Sequence, residues 1–351
     1  MLIMIQFSAK ESSAQKIMEA IKEGNIAKVE KWLNEDSDVN EKFERENDDG
    51  DYTELHVIEW AAHHNQKEVL DPFIQKQYLF DDFYEWISDG LSSNIHNCDI
   101  ETVNKLLNAG ASVNNLCNTC RYAPPISIAL SYECYDIYNL LLSKGAQLKN
   151  KNAGFDVIHS AAAIDSLELL KDLVENKGLD IEQKSNASGS TSVFYASING
   201  HLDNLLYLVD KGAILNHLDE NGFNLFHYAS NLEIFKYLET KLLENNLFSI
   251  DELNANHPLI ASIVQKDNKE LFDYYIANYP NHLNNLDSYG RSALFSLLDA
   301  KNNKKYFFDE LTKHNIKVSL KDIYKKKIKW YAKKENDNEL LSIVKNYEKT
   351  H

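Results

Sequence analysis

The sequence predicts an all-α protein, a solenoid of about nine stacked helix-turn-helix repeats. The first observation is a period. The glycines Gly110, Gly145, Gly178 and Gly212 lie 35, 33 and 34 residues apart, and each follows a leucine-rich segment. The second observation is that these segments carry apolar residues at helical spacing. A glycine directly after such a segment is typical of a helix that ends in a left-handed residue. A fixed period of this length indicates a repeat architecture.

The clearest repeat runs from Thr191 to Asp219. Its first helix is predicted to end at the turn Asn199-Gly200-His201. The second helix places its apolar residues on one face: Leu202, Leu205, Leu206, Leu208 and Val209. A single helical pair cannot bury this face alone, so we expect neighbouring repeats on both sides.

A short opening motif recurs in phase with the glycines. Its copies are Pro124-Pro125-Ile126-Ser127, Asp156-Val157-Ile158-His159, Thr191-Ser192-Val193-Phe194, Asn224-Leu225-Phe226-His227 and Ser292-Ala293-Leu294-Phe295. Together with the paired helices, this motif resembles the ankyrin repeat. The resemblance covers nearly the whole chain and is most specific from Glu101 to Ser230. It implies an ankyrin-repeat solenoid with short β-hairpin-like fingers, and a structural role for His159 and His227, which tie each turn to the adjacent repeat.

We expect residues 1–351 to form one array. Residues 1–47 would be an N-terminal capping repeat with an acidic finger, 48–318 the further repeats, and 319–351 a helical C-terminal cap. The finger carries nine carboxylates between Glu35 and Asp51. Two interpretations are open, a solvated loop and a clamp for a basic partner.

The charge balance restricts the class of partner. The chain has 37 basic and 53 acidic residues and a net charge of −16, which argues against nucleic acid or an anionic membrane as the partner. No stretch approaches 18 consecutive apolar residues, so no transmembrane helix is predicted. We expect a monomer outside its complexes, in the cytoplasm or delivered into a host cytosol.

Two cysteines, Cys117 and Cys120, have the spacing of a metal site. Only Cys134 and His96 could complete such a site, and the favoured interpretation is that the cysteines, Cys134 included, are reduced thiols without a metal. Nucleophile-elbow, dinucleotide, phosphate-loop and zinc-protease motifs are absent from the sequence. The chain is therefore predicted not to be an enzyme and to need no cofactor.

The resemblance implies that the chain binds another protein through its concave face and its finger edge. Many lysines beside few arginines fit an A/T-rich bacterial genome, so we expect a bacterial effector or a toxin-neutralising immunity protein. Two alternatives are open. One is an inhibitor whose acidic surface mimics nucleic acid, and the other is an enzyme with an unrecognised site.

The predicted contact residues lie in the fingers. In an ankyrin repeat the residue after the turn glycine projects from the finger tip, and Phe155, Ser190, Phe223 and Arg291 hold that position. Aromatic and arginine side chains are enriched at binding hot spots. The alternative is that Phe155 and Phe223 fold back onto the neighbouring finger. The predicted partner-binding residues are Tyr52, Arg121, Tyr122, Phe155, Ser190, Phe223 and Arg291.

Overall fold

The structure, a computed structural model, describes residues 11–35, 38–40, 42–46, 52–116, 123–150, 155–243 and 257–350. Within these ranges the helices are short, the longest having 13 residues. Among the described helices none is long and apolar enough to cross a bilayer. The predicted all-α fold class is confirmed for the described residues.

In chain order the described helices fall into ten consecutive pairs, each consisting of a first and a second helix. Their bounds are Glu11–Lys22 and Ile26–Asn34, Val57–His63 and Leu70–Gln75, Phe83–Asn94 and Ile100–Asn108, Pro125–Ser131 and Tyr135–Ser143, Val157–Ala163 and Leu167–Lys171, Ser192–Asn199 and Leu202–Asp210, Leu225–Tyr228 and Leu232–Leu238, Leu259–Gln265 and Lys269–Asn278, Ala293–Leu298 and Lys304–Lys313, and Ile328–Lys334 and Asn338–Thr350.

Several of these elements depart from regular α-helix. Ala293–Leu298 is a 3₁₀ helix. The second helices of the fifth and seventh pairs continue as π-helical turns at Asp172–Asn176 and Glu239–Leu243. Short 3₁₀ turns also occur at Gln77–Leu79, Ile95–Asn97 and Pro280–His282.

The chain forms two compact units. Unit 1 comprises Met1–Ile164, Asp172–Leu179 and Ser185–Ala187, and unit 2 comprises Asp165–Lys171, Asp180–Lys184 and Ser188–His351. Within each unit the first helix of a pair packs on the first helix of the next, and second helices pack on second helices. The cores are apolar and fully buried: Ile58, Ile87, Leu106 and Leu141 in unit 1, and Leu205, Phe235, Phe272 and Phe307 in unit 2.

The four glycines that set the period have the left-handed backbone that the sequence predicts. Their φ angles are 103°, 89°, 63° and 89° at Gly110, Gly145, Gly178 and Gly212. At Gly212 no atom lies within 4 Å of the place where a Cβ would stand. The glycine is therefore required there by backbone conformation and not by lack of space.

The acidic finger contains a β-hairpin. Strand Lys42–Glu46 pairs antiparallel with strand Tyr52–His56, so that Lys42 lies opposite His56. Lys42 Nζ lies 3.3 Å from a carboxylate oxygen of Glu54, and both side chains are exposed. Most of the predicted carboxylates, including Asp48, Asp49 and Asp51, lie outside the described residues, so the clamp remains a prediction.

The cysteine prediction is corrected at Cys134. Cys98 and Cys134 form a disulfide, with their Cα atoms 5.2 Å apart, so Cys134 is not a reduced thiol. They occupy the interhelical turns of the third and fourth pairs, and the bond joins those neighbours covalently. Among the described residues no three His, Cys, Asp or Glu side chains cluster as metal ligands. Cys117 and Cys120 lie outside the described ranges.

Leu205 and Leu206 provide a matched test of the core. They are adjacent in one helix, yet Leu205 is fully buried while Leu206 is 39% exposed. We expect Leu205→Ala to lower the free energy of unfolding by roughly 2–5 kcal/mol and Leu206→Ala to change it by less than about 1 kcal/mol. Urea unfolding followed by circular dichroism measures both. Equal effects of the two substitutions would show that the assigned burial of this helix is wrong.

Candidate partner-binding surface

Three finger loops of unit 2 share one aspartate-centred turn. The backbone N–H of Asp219 donates to the carbonyl of Phe223 at 2.9 Å, and its Oδ1 accepts the N–H of Phe223 at 2.8 Å. Asp287 makes the same two bonds with Arg291, at 3.0 and 2.8 Å. Asp322 repeats them with Lys326, at 2.9 and 2.8 Å. A carboxylate that accepts backbone N–H groups fixes the loop without any apolar core.

The second carboxylate oxygen of each aspartate is also occupied. Tyr228 donates its hydroxyl to Asp219, and Tyr331 donates to Asp322. In the Asp287 turn, Arg291 Nε donates instead, at 2.8 Å. The hydrogen bond to Asp322 raises the pKa of Tyr331 to about 12.

The Asp322 turn shows how the tail is built. This turn, the helix Ile328–Lys334 and the helix Asn338–Thr350 reproduce the loop-helix-turn-helix order of the preceding repeats. Lys325 takes the left-handed position with a φ of 60°, where Asp219 and Asp287 are followed by Gly222 and Gly290. The segment predicted as a helical cap therefore contains a tenth helical pair.

The residue that closes the Asp219 turn packs inward. Phe223 is half-buried, and its ring centroid lies 5.1 Å from that of His227 and 4.3 Å from that of His257. Its backbone N–H and C=O are both bonded to Asp219, and its side chain packs on these two histidines. The prediction that Phe223 projects free of packing is wrong, and the alternative that it folds back describes the structure.

The other predicted contact residues have different surroundings. Ser190 is only 3% exposed, so its expected projection into solvent is also wrong. The Ser190 N–H donates to Ser188 Oγ at 3.4 Å, and the Ser190 hydroxyl oxygen accepts from the Ser188 hydroxyl at 3.0 Å. Phe155 is half-buried, with its ring centroid 5.7 Å from that of His159. Arg291 remains 39% exposed beside Asp287.

Three predicted residues cannot be placed as contacts. Tyr52 begins the second strand of the hairpin opposite Glu46, and its side chain lies outside what the structure describes. Arg121 and Tyr122 lie outside the described residues altogether.

The side chains that project from unit 2 at these turns are different ones. Tyr289, Ile323 and Tyr324 are 46%, 58% and 61% exposed. The two turns meet directly, because Ile323 N–H donates to the carbonyl of Tyr289 at 2.9 Å. Counting positions from the turn aspartates would have identified these exposed tyrosines, because Tyr289 lies two residues after Asp287 and Tyr324 two residues after Asp322. Counting from the glycine misses Tyr324, because Lys325 replaces the glycine.

A cavity of about 280 Å³ lies beside these turns in unit 2. Phe223, Phe295 and Tyr331 contribute aromatic walls. Its polar lining includes the Asp287–Arg291 pair, Ser292, Asp299 and Glu335. The cavity therefore combines aromatic walls with many polar and charged groups, and polar groups of this kind fix the orientation of a ligand in a binding site.

The repeated opening motif ties neighbouring pairs together. His227 is 6% exposed, and its Nε2 lies 2.7 Å from the carbonyl oxygen of His257, which opens the next pair. Burial lowers the pKa of His227 to about 4, so the ring is neutral at pH 7. The structural role that the resemblance implies for His227 is confirmed.

Within each unit, helical pairs that pack on their neighbours and carry anchored turns are typical of helical repeat proteins. Comparison with known proteins identifies the type of repeat in one segment. Residues 158–246 match the family model for ankyrin repeats, in three copies. This segment consists of ankyrin repeats, and the resemblance inferred from the sequence is confirmed.

Several curated proteins are similar to the chain. Alpha-latrocrustotoxin-Lt1a of Latrodectus tredecimguttatus is 24% identical over 204 residues, 55% of this chain and 14% of the toxin. Ankyrin repeat protein nuc-2 of Neurospora crassa is 24% identical over 187 residues, 52% of this chain and 17% of that protein. An ankyrin repeat protein of Fowlpox virus is 26% identical over 217 residues, 58% and 57% of the two chains. The chain thus spans a small part of the first two relatives and about half of the third.

The buried His227 predicts a specific pH dependence. In the unfolded chain its pKa is 6.5 and in the folded chain about 4, so the unfolded state binds the proton more readily. Stability is complete above pH 6.5 and decreases as the pH falls toward 4, by about 2 kcal/mol at pH 5.

His227→Phe removes this contribution, and Phe194 and Phe295 already occupy the same motif position in other repeats. We expect the urea midpoint of the wild type to fall more between pH 7 and pH 5 than that of the variant. Parallel pH profiles of the two proteins would contradict the buried neutral histidine.

Proposed function

We propose that the chain is a protein–protein interaction module whose partner binds the finger edge and the adjoining first-helix face of unit 2. The observation that carries this proposal is the exposed trio Tyr289, Ile323 and Tyr324 on two directly bonded turns. Contiguous exposed apolar surface marks interaction sites in soluble proteins, and tyrosine is enriched among binding hot spots.

The cavity beside the trio supports the same surface. It gives a partner side chain a place to lose water, which a flat surface does not. Of the residues predicted from sequence, Phe223 and Arg291 line this cavity and belong to the proposed surface. The match to ankyrin repeats supports a binding scaffold of this kind.

The identity of the partner separates the biological roles. We propose an effector or an immunity protein, and a captured host protein favours the first while a captured toxin favours the second. Capture of a nuclease that is released by salt would instead favour the acidic nucleic-acid mimic.

The test is quantitative affinity capture with the triple variant Tyr289→Ala, Ile323→Ala and Tyr324→Ala. The control variant is Leu206→Ala, on the second helix Leu202–Asp210 of unit 2, whose side chain is 39% exposed. Proteins captured by the wild type and by the control should be depleted roughly 10- to 100-fold with the triple variant.

Both variants should melt within a few degrees of the wild type, since all four side chains are exposed. A partner that is retained by the triple variant and lost with the control would place the binding surface elsewhere in unit 2. A partner retained by both would contradict the proposal.

A further inference from the structure

The charges around the cavity of unit 2 do not cancel. Asp287 and Arg291 neutralise each other, with Arg291 Nε 2.8 Å from the carboxylate and its guanidinium carbon 4.8 Å from the centre of the Tyr289 ring. The two other carboxylates of the lining are Asp299 and Glu335, both exposed. Over the described residues, no lysine or arginine nitrogen pairs with either of these two. The lining therefore has an excess of two negative charges.

The hydrogen bonds of the lining also leave one group open. Within the described ranges, the side chain of Asp299 accepts a hydrogen bond only from a neutral donor, Nε2 of Gln265 at 3.0 Å. Ser292, in the lining, is 3% exposed, and its hydroxyl oxygen is buried without a hydrogen-bond partner among the residues that the structure describes. A buried hydroxyl that makes no hydrogen bond is costly, which indicates that an occupant of the cavity supplies the partner.

The walls are suited to a flat cation. Phe295 and Tyr331 face each other edge to face, with ring centroids 5.8 Å apart, and the Tyr331 ring is fixed by its bond to Asp322. Aromatic faces attract cations, arginine more often than lysine. A guanidinium carries five N–H donors in one plane, so it can reach a carboxylate and a hydroxyl at once.

From these observations we infer that the cavity receives an arginine side chain of the partner protein. The arginine stem packs on Phe295 and Tyr331, its charge is balanced by Asp299 and Glu335, and an N–H group donates to Ser292 Oγ. This inference rests on the proposed function, to which it adds the chemistry of the anchoring residue.

The test uses N-acetyl-arginine methylamide as the probe and the full-length, isotope-labelled protein. Binding is followed by the NMR shifts of the backbone amides of Ser292, Phe295 and Tyr331. The matched neutral probe is N-acetyl-citrulline methylamide, which has nearly the same shape without the charge. We expect saturable shifts with the arginine probe at millimolar concentration and at least about 5-fold weaker binding of the citrulline probe.

Two protein variants distinguish the effect of the charges in the cavity lining from that of the overall charge of unit 2. Asp299→Asn with Glu335→Gln keeps the size of both side chains and should weaken the arginine probe by roughly 5-fold or more. Asp203→Asn with Glu233→Gln removes the same charge from exposed sites of unit 2 outside the cavity lining and should leave binding unchanged.

Three results would overturn the inference: no saturable shift, equal binding of arginine and citrulline, or wild-type affinity in Asp299→Asn with Glu335→Gln. None of these results affects the capture test of the proposed function, which uses the triple variant Tyr289→Ala, Ile323→Ala and Tyr324→Ala. If the triple variant loses its partner but the cavity does not bind the arginine probe, the proposed surface is correct and the arginine anchor is wrong. If the cavity binds the arginine probe but the triple variant keeps its partner, the cavity recognises arginine and the proposed surface is wrong.

Discussion

The structure depends on one constraint, that no helical pair can bury its own apolar face. Leu205 and Phe235 are fully buried because the pairs that carry them pack on their neighbours, first helix on first helix and second on second. The core is therefore shared between repeats in each unit. The helices supply most of it, and the loops add scattered side chains such as Leu215 and Val318. So small an apolar contribution leaves the shape of the finger loops to be fixed mainly by hydrogen bonds.

In unit 2 these hydrogen bonds centre on a buried or half-buried aspartate. Asp219, Asp287 and Asp322 each hold the residue four positions later by backbone hydrogen bonds. This bonding decides which side chains turn inward and which are exposed. It draws Phe223 against two histidines and leaves Tyr289 and Tyr324 in solvent. The exposed tyrosines are thus a direct consequence of how the loop is anchored.

The helices are held by apolar burial and the finger loops by hydrogen bonds, and this difference explains which features could be predicted from the sequence. The helical pairs and the glycine positions follow from period and apolar spacing, since burial imposes both. The finger contacts were misassigned at Phe223 and Ser190 because a glycine position does not reveal where the loop hydrogen bonds go. The disulfide could have been predicted from the spacing of the two cysteines. Cys98 and Cys134 are 36 residues apart, close to one repeat, and one period brings equivalent turns of neighbouring pairs side by side.

The carboxylates of unit 2 fall into two groups that differ in their hydrogen bonds. Asp287 and Asp322 have both oxygens occupied by backbone N–H groups, a guanidinium or a tyrosine hydroxyl. Asp299 and Glu335 lie a short distance along the same repeats without a cationic partner among the described residues. A satisfied carboxylate stabilises its own loop and has little left for a ligand. Asp299 accepts a hydrogen bond from the neutral Gln265 and keeps its charge unbalanced, as does Glu335. A positively charged side chain from another protein, as we propose, would balance both charges.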